Sequence, residues 1–346
     1  MLTRLINRIT DPSFIDIEFI ESELKKGGLV TVQFSEEVYT DEQLAILNTL
    51  CAKHEDNLEI RFYSHDPGSF ECNTLLKIPN VKRLSLDCLL NAENIVAISQ
   101  LNNLRFLSLG IFELKELDIL KYENFKQLRG LIIGETRTKA LDLIHLRDYD
   151  HLNELIICGH TKSIDAVGDA KNLTSLSLNS IKNCPITFVN RLKKLKTLSF
   201  ILGGRENIHE LDGNSIENLD IVWVRGFNDI SNISNFRKLK TLRIEDEIKL
   251  KEILFDKEMP LLSDVKILNC KTLDSMRGIV NLTSLHQLRI FKTNLNFDSF
   301  VSQNLPSSLK IFAFYTWKVK QDKEIAAKLL KMRYTDGLES DKVNLN

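Results

Sequence analysis

The sequence predicts an α/β solenoid, in which short parallel strands alternate with return segments, and two observations support this fold class. Residues 173–178 have the pattern L-x-x-L-x-L, and residues 195–200 repeat it twenty-two positions later with Phe200 in the last place. The same frame recurs along most of the chain at spacings of 21 to 24 residues. A period of this length is typical of leucine-rich repeats, whose units each add one strand to a shared sheet. Because one unit cannot bury its own apolar face, the units must stack.

The repeats occupy residues 80–320 as about eleven units, which start at Val81, Leu104, Leu128, Leu152, Leu173, Leu195, Ile216, Leu239, Leu262, Leu285 and Leu309. Random leucine richness would not keep so narrow a period over ten intervals. Between the strands, segments such as residues 91–103 hold apolar residues about three positions apart, which favours short helical or 3₁₀ turns. We therefore predict a curved parallel sheet on the concave side and these turns on the convex side.

Residues 1–79 lack the repeat, and they predict an N-terminal α/β cap. Asp11 at the N-cap, Pro12 at the first helical position and Gly27 beyond the end favour a helix between them. Its apolar residues have helical spacing: Phe14, Ile17, Ile20 and Leu24. The alternation of apolar residues from Ile15 to Phe19 leaves a strand open as the alternative.

A strand, helix, strand unit follows within the same segment. The alternation from Val30 to Phe34 predicts the first strand, and Thr40 with Gln43 forms a capping box that starts the helix. The apolar face of this helix is Leu44, Leu47, Leu50 and Cys51. The second strand contains Ile60, which lies twenty-four residues before Leu84 of the first repeat. We expect that strand to be the first rung of the repeat sheet, with the helix covering the open end.

The repeat pattern stops after Trp317, and residues 321–334 predict a C-terminal capping helix. Asp322 and Glu324 stand at its start and Lys331 at its end, which suits the helix dipole. Residues 335–346 are polar and predict a flexible tail.

Composition narrows the class of protein. The formal net charge of −1 disfavours a nucleic-acid binder, which would carry an excess of basic residues. Residues 1–10 contain no secretory apolar region, and no apolar stretch is long enough for a membrane span, so we predict a cytoplasmic protein without membrane association. The six cysteines are scattered without a C-x-x-C pair, which predicts reduced thiols.

The run TLDSMRGIVNLTSLHQLRI at residues 272–290 resembles the bacterial internalin-like leucine-rich repeats, and the resemblance extends over residues 80–317. It implies a protein that binds other proteins on the concave sheet. Surface internalins carry a signal peptide and an anchor, and this chain shows neither, so we expect an intracellular relative. The family's asparagine after each strand is replaced by Leu89, Phe112, Thr136, His160, Ile181, Gly203, Val224, Glu247, Cys270, Thr293 and Trp317. Other groups must then satisfy the backbone of these turns.

The outward side chains of the strands predict where a partner binds. If the leucines point inward, the third, fifth and seventh positions of each unit point outward. In the first five repeats these residues are small or neutral and offer few anchors. From Ile201 onward they are large or charged, and Arg243, Lys266 and Arg289 form a basic stripe at about 4.8 Å per strand. An alternative stays open, in which neighbouring acids neutralise the stripe and Trp223 and Trp317 pack on adjacent turns.

The candidate partner-binding residues are Ile201, Asp220, Val222, Trp223, Arg243, Glu245, Lys266, Leu268, Arg289, Phe291, Tyr315 and Trp317. A strip of this sheet offers roughly 800 Å², about one partner's share of a standard protein interface. No phosphate-binding, dinucleotide-binding or zinc-protease motif occurs, and Cys158 with His160 is too sparse for a metal site. We predict a non-enzymatic, cofactor-free scaffold that is monomeric when free. A bacterial immunity protein that neutralises a toxin is the favoured role, an effector that binds host proteins the alternative, and an enzyme less favoured.

Overall fold

The computed structural model describes residues 6–35, 38–64, 68–213 and 215–337, and the chain divides into two compact units, Met1–Leu173 and Thr174–Asn346. Unit 1 contains helices α1 (Ile17–Lys25) and α2 (Asp41–Lys53). Its strands are β1 (Ile6–Thr10), β2 (Leu29–Ser35), β3 (Leu58–Tyr63), β4 (Ser69–Glu71), β5 (Arg83–Leu89), β6 (Asn91–Glu93), β7 (Phe106–Ile111), β8 (Gly130–Ile133) and β9 (Glu154–Cys158). All of them except β4 and β6 form one parallel sheet in chain order, and β4 pairs with β6 beside it.

Unit 2 contains a second run of parallel strands and two helices, α3 (Phe297–Val301) and α4 (Val319–Lys331). Its strands are β10 (Ser175–Asn179), β11 (Thr197–Ile201), β12 (Asn218–Val222), β13 (Thr241–Glu245), β14 (Glu252–Leu254), β15 (Asp264–Leu268), β16 (Ser275–Arg277), β17 (Gln287–Phe291) and β18 (Ile311–Tyr315). Neighbouring strands pair in parallel from β10 to β18, with β14 and β16 in a separate short ladder.

The predicted leucine-rich repeat solenoid is confirmed. Each of the eleven repeat strands begins two residues after the predicted start of its unit. The return segments include 3₁₀ turns at Cys72–Lys77, Ile95–Gln100, Ile119–Lys121, Glu123–Gln127, Leu143–Asp148, Ile164–Asp169, Thr187–Arg191, Ile233–Asn235 and Ile279–Asn281. The frame leucines are buried, as Leu173, Leu176 and Leu178 illustrate with at most 1 % exposure. Burial of each such side chain stabilises the fold by about 1.5–3 kcal/mol.

The first helix begins five residues later than expected, because its predicted N-cap is used elsewhere. Asp11 has a left-handed backbone (φ 46°), and its carboxylate accepts hydrogen bonds from the backbone N–H of Ser35 at 2.7 Å and from its hydroxyl at 2.6 Å. Asp16 is the N-cap of α1 instead. Consequently Phe14 is 69 % exposed and lies outside the core, while Ile20 and Leu24 of the predicted face are buried.

Helix α2 begins with the predicted capping box, in which Thr40 and Gln43 each bond the other's backbone N–H. Strand β3 joins the repeat sheet beside β5 as expected, but it is not the first rung, because β2 and then β1 extend the sheet beyond it. Strand β1 is short and lies outside the repeat, so the pattern does not reveal it. Helix α2 contacts the turn Cys72–Lys77 and so lies among the return segments, whereas the open edge of the sheet is β1.

Three of the turns after the strands hold a buried polar side chain where the family has asparagine: Thr136, His160 and Glu247. The Thr136 hydroxyl accepts from the N–H of Lys139 at 3.1 Å, and His160 Nε2 lies 3.1 Å from the carbonyl oxygen of Gly134. The Glu247 carboxylate accepts from the N–H of Val224 at 2.8 Å. Each of these side chains satisfies a turn in its own way, as expected from the irregular column of residues.

The C-terminal helix α4 is present, two to three residues before the predicted limits. Of the predicted tail, residues 338–346 lie outside the described residues. Thr335 is paired rather than frayed: its N–H donates to the Lys310 carbonyl at 2.9 Å, and its own carbonyl accepts from the N–H of Phe312 at 3.0 Å. The backbone of the last strand therefore orders the segment that follows α4.

Candidate protein-binding face

The register of unit 2 brings ten of the twelve predicted residues onto one face of the sheet. We call the outward side of strands β11, β12, β13, β15, β17 and β18 the display face. Its fifth-position column, in register strand by strand, is Ser199, Asp220, Arg243, Lys266, Arg289 and Ala313. Its seventh-position column is Ile201, Val222, Glu245, Leu268, Phe291 and Tyr315. Adjacent members of a column are about 4.8 Å apart at the backbone.

Two of the three cations of the basic stripe, Arg243 and Lys266, lie beside acids of their own strands. Arg243 Nε donates to Glu245 Oε2 at 2.9 Å, and Arg243 Nη2 contacts the same carboxylate. Lys266 Nζ lies 3.6 Å from Asp264 Oδ2. Asp220 of β12 accepts a hydrogen bond from the Ser199 hydroxyl of β11 at 3.1 Å. The pairing of Arg243 and Lys266 agrees with the part of the alternative interpretation in which neighbouring acids neutralise the stripe.

The seventh-position column is the more apolar of the two. Apart from Glu245 it consists of large side chains that are partly open to solvent. Phe291 and Tyr315 contact each other edge to face, with ring centroids 5.3 Å apart. Partly exposed aliphatic and aromatic side chains in one row give a partner apolar area to bury.

Trp223 and Trp317 lie at the rim of the face, just beyond the strand ends. Both have left-handed backbones (φ 57° and 66°), and they are 63 % and 71 % exposed. The Lys292 ammonium lies 5.3 Å from the centroid of the Trp317 ring. Such exposure shows that neither indole is packed into the core.

Sequence reasoning missed a further rim residue, Leu202, which occupies the position equivalent to Trp223 in the preceding repeat. It has a left-handed backbone (φ 61°) and is 43 % exposed. A left-handed backbone costs an L-residue with a bulky side chain about 1–2 kcal/mol, a cost that glycine does not have. Reading the eighth position of each unit, and not only the outward positions of the strand, would have found it.

A second residue that sequence reasoning missed is Asp336, which follows α4 and contacts the last strand, β18. The Tyr315 hydroxyl donates a hydrogen bond to the Asp336 carboxylate. Arg289 is 9 % exposed, although its column faces outward. The C-terminal end of the display face is therefore covered by the chain itself.

Unit 1 carries a polar depression on its own outward face, where the sequence indicated few anchors. Arg61 Nε donates to Asp87 Oδ1 at 2.7 Å, and the Arg83 guanidinium stacks 3.6 Å from the centroid of the Phe106 ring. Gly130 leaves room for that ring, because a Cβ there would lie 2.4 Å from the Phe106 ring edge. Together with Glu154, these residues line a cavity of about 340 Å³. Most of its charged groups already have partners within unit 1.

Catalytic and metal chemistry receives no support from the described part of the chain. Among residues 6–35, 38–64, 68–213 and 215–337, no group of three His, Cys, Asp or Glu side chains is arranged to hold a metal ion. His160 is buried in its turn, and burial lowers its pKa. None of the six cysteines forms a disulfide. None of the described helices has the length and apolar character of a membrane span.

Several solved structures are similar to this chain at low sequence identity. An internalin, inlF, of Listeria monocytogenes is 19 % identical with a TM-score of 0.46, and the match covers 92 % of this chain and 86 % of the internalin. A leucine-rich repeat protein of Leptospira interrogans is 14 % identical with a TM-score of 0.41, over 94 % of this chain and 93 % of the other. The plant peptide hormone receptor RGFR1, solved in complex with RGF2, is 16 % identical with a TM-score of 0.39, over 76 % of this chain and 51 % of the receptor.

No protein-family model matches the chain, and no curated protein matches it by sequence. None of the three structural likenesses reaches a TM-score of 0.5, so the fold assignment depends on the strands, register and burial described above. Those features define the class of protein: a leucine-rich repeat solenoid.

Proposed function

We propose that this chain is a non-enzymatic, cofactor-free interaction scaffold that binds a protein partner on the display face and its rim. The observation that carries the proposal is the row of partly exposed apolar side chains, from Ile201 to Tyr315, in register beside paired charges. Exposed Trp and Tyr around apolar residues are the composition of a binding hot spot. The ion pairs of Arg243 and Lys266 supply polar contacts at fixed positions rather than a cationic surface for phosphates.

The finer role that we propose is that of a bacterial immunity protein, cytoplasmic and monomeric when free, whose partner is a toxin. A rigid sheet face can occlude a toxin's active site by contact alone, without chemistry. The alternative is an effector that binds host proteins. Co-purification with the product of an adjacent toxin gene would favour the first role, and capture of a protein from host extract the second.

Affinity capture from the source cell tests the site. The full chain is compared with a Trp223→Ala, Arg243→Ala, Arg289→Ala, Tyr315→Ala variant and with a matched control, Arg237→Ala, Lys257→Ala, Lys271→Ala, Val280→Ala, whose residues are exposed away from the display face. We expect the control to keep the partner and the first variant to lose it by at least about a hundredfold in affinity. Retention of every partner by a folded first variant would show that the site lies elsewhere.

A further inference from the structure

Residues 335–337, which we call the strap, cover the C-terminal end of the display face. Thr335 pairs in parallel with Ile311, through its N–H to the Lys310 carbonyl at 2.9 Å and through its carbonyl to the N–H of Phe312 at 3.0 Å. The strap thus begins as one more strand on the edge of β18. An exposed strand edge is the surface to which extended peptides add in many complexes.

Beyond this backbone pairing, the strap covers two columns of the display face. Asp336 accepts a hydrogen bond from the Tyr315 hydroxyl. Gly337 is buried, and a Cβ on it would lie 3.2 Å from Ala313 Cβ and 3.3 Å from Arg289 Nε. Its contacts explain why Ala313 is fully buried and Arg289 is 9 % exposed on a face that points outward.

We infer that the strap is a displaceable occupant of the display face, standing where an extended acidic segment of the partner binds. This inference rests on the proposed function and adds the chemistry of the partner's contact. The site offers backbone donors and acceptors on β18, a tyrosine hydroxyl for a carboxylate, and room beside Arg289 for a residue without a side chain. An external segment with an acidic residue followed by glycine meets the same three conditions. Partner binding then requires the strap to leave.

Hydrogen exchange of the full chain tests whether the strap is released on its own. The variant is Asp336→Ala, and the matched control is Glu324→Ala, an exposed acidic residue of α4. In Asp336→Ala we expect exchange at the Phe312 and Thr335 amides to accelerate about tenfold, the change expected for loss of one hydrogen bond. We expect the control, and the β17 amides of both variants, to match the wild type.

A synthetic peptide, Tyr-Thr-Asp-Gly, which copies residues 334–337, tests whether an external segment can take the strap's place. Added to the Asp336→Ala variant, it should restore protection at Phe312, and a Tyr-Thr-Asn-Gly peptide should restore less. Unchanged exchange in Asp336→Ala, or failure of the acidic peptide to protect Phe312, would overturn the inference.

A third outcome would also contradict it. If exchange rises together across β17, β18 and α4 in Asp336→Ala, the strap is an integral part of the fold and not a displaceable segment. None of these measurements involves the partner. The strap inference can therefore fail while affinity capture still supports the display face. Likewise, affinity capture can fail while hydrogen exchange still shows that the strap is displaceable.

Discussion

At the residue scale, the position after each strand shows how one structural requirement is met by unrelated side chains. An asparagine ladder would satisfy these turns uniformly, whereas here Thr136, His160 and Glu247 do so in different repeats. The carboxylate is the most demanding of the three. Glu247 is 1 % exposed, and burial raises its pKa to about 7.

Replacement of Glu247 by glutamine should remove a pH dependence of stability. The pKa of Glu247 is about 7 in the folded state and near 4.5 in the unfolded chain, so between these pH values the folded state holds a proton that the unfolded chain has lost. The free energy of unfolding should therefore fall by roughly 2 kcal/mol between pH 5 and pH 8 because of this group. In Glu247→Gln that part of the fall should disappear, since glutamine can still accept from the Val224 N–H and carries no charge. Urea unfolding at several pH values measures this.

The exposed Glu206→Gln variant is the control for Glu247. It should reproduce the pH profile of the wild type. If Glu247→Gln also reproduces that profile, Glu247 is ionised without penalty in the folded chain, and the argument from burial is wrong.

Replacement of Trp223 by glycine should change stability and partner binding in opposite directions. Its left-handed backbone costs about 1–2 kcal/mol for an L-residue, and glycine removes this strain at an entropic cost of about 0.5–1 kcal/mol. We therefore expect Trp223→Gly to stabilise the chain slightly, by about 0.5 kcal/mol, and to weaken partner binding. Ser180→Gly, at the equivalent position with φ 53°, measures the backbone effect alone. A clear loss of stability in Trp223→Gly only would show that the indole packs structurally.

At the element scale, the turn that precedes Ile279–Asn281 depends on one glycine. Gly278 has φ 77°, and a Cβ there would lie 2.1 Å from the Phe255 carbonyl oxygen. Because that oxygen belongs to the backbone of the preceding return segment, the two repeats would have to separate. Gly278→Ala should destabilise the chain by about 3 kcal/mol.

Gly204→Ala is the control in the same unit, because its Cβ would meet only the Arg225 carbonyl at an ordinary 3.5 Å and its φ is not positive. Denaturant midpoints of the two variants compare them directly. Equal stability of both would mean that the turn at Gly278 adjusts without cost.

The sequence predicts the elements that the repeat determines, and it does not predict those that depend on tertiary contacts. The repeat strands follow from the period alone, since a shared sheet requires every unit to place its leucines inward. The start of α1 does not follow from the local sequence, because Asp11 and Asp16 can both cap a helix. Asp16 is the N-cap because the Asp11 carboxylate bonds Ser35, which lies far along the chain. The pairing of Arg243 with Glu245 depends on side-chain rotamers, which a column of residue types does not specify. The strap depends on tertiary contacts of a polar segment that carries no pattern.

At the scale of the whole molecule, the repeat architecture separates a buried leucine frame from the outward side chains of the strands. Each repeat contacts mainly its neighbours, so the leucine frame can stay constant while outward residues vary. Unit 1 uses this freedom for an internally bonded polar network, and unit 2 for the mixed apolar and charged display face.

The paired charges of the display face predict weak salt dependence of partner binding. Arg243 and Lys266 are already neutralised by Glu245 and Asp264, so a partner displaces few ions from them. The dissociation constant should therefore change less than about threefold between 50 and 300 mM salt. A nucleic-acid ligand would lose orders of magnitude in affinity over such a range. Titration of the captured partner at several salt concentrations measures how its dissociation constant depends on salt. As a control, fluorescence anisotropy with a labelled 20-base-pair duplex at 50 mM salt should show no binding at micromolar protein. A steep slope would mean that the partner breaks these ion pairs and uses the cations directly, and the apolar column would then not be the main source of affinity.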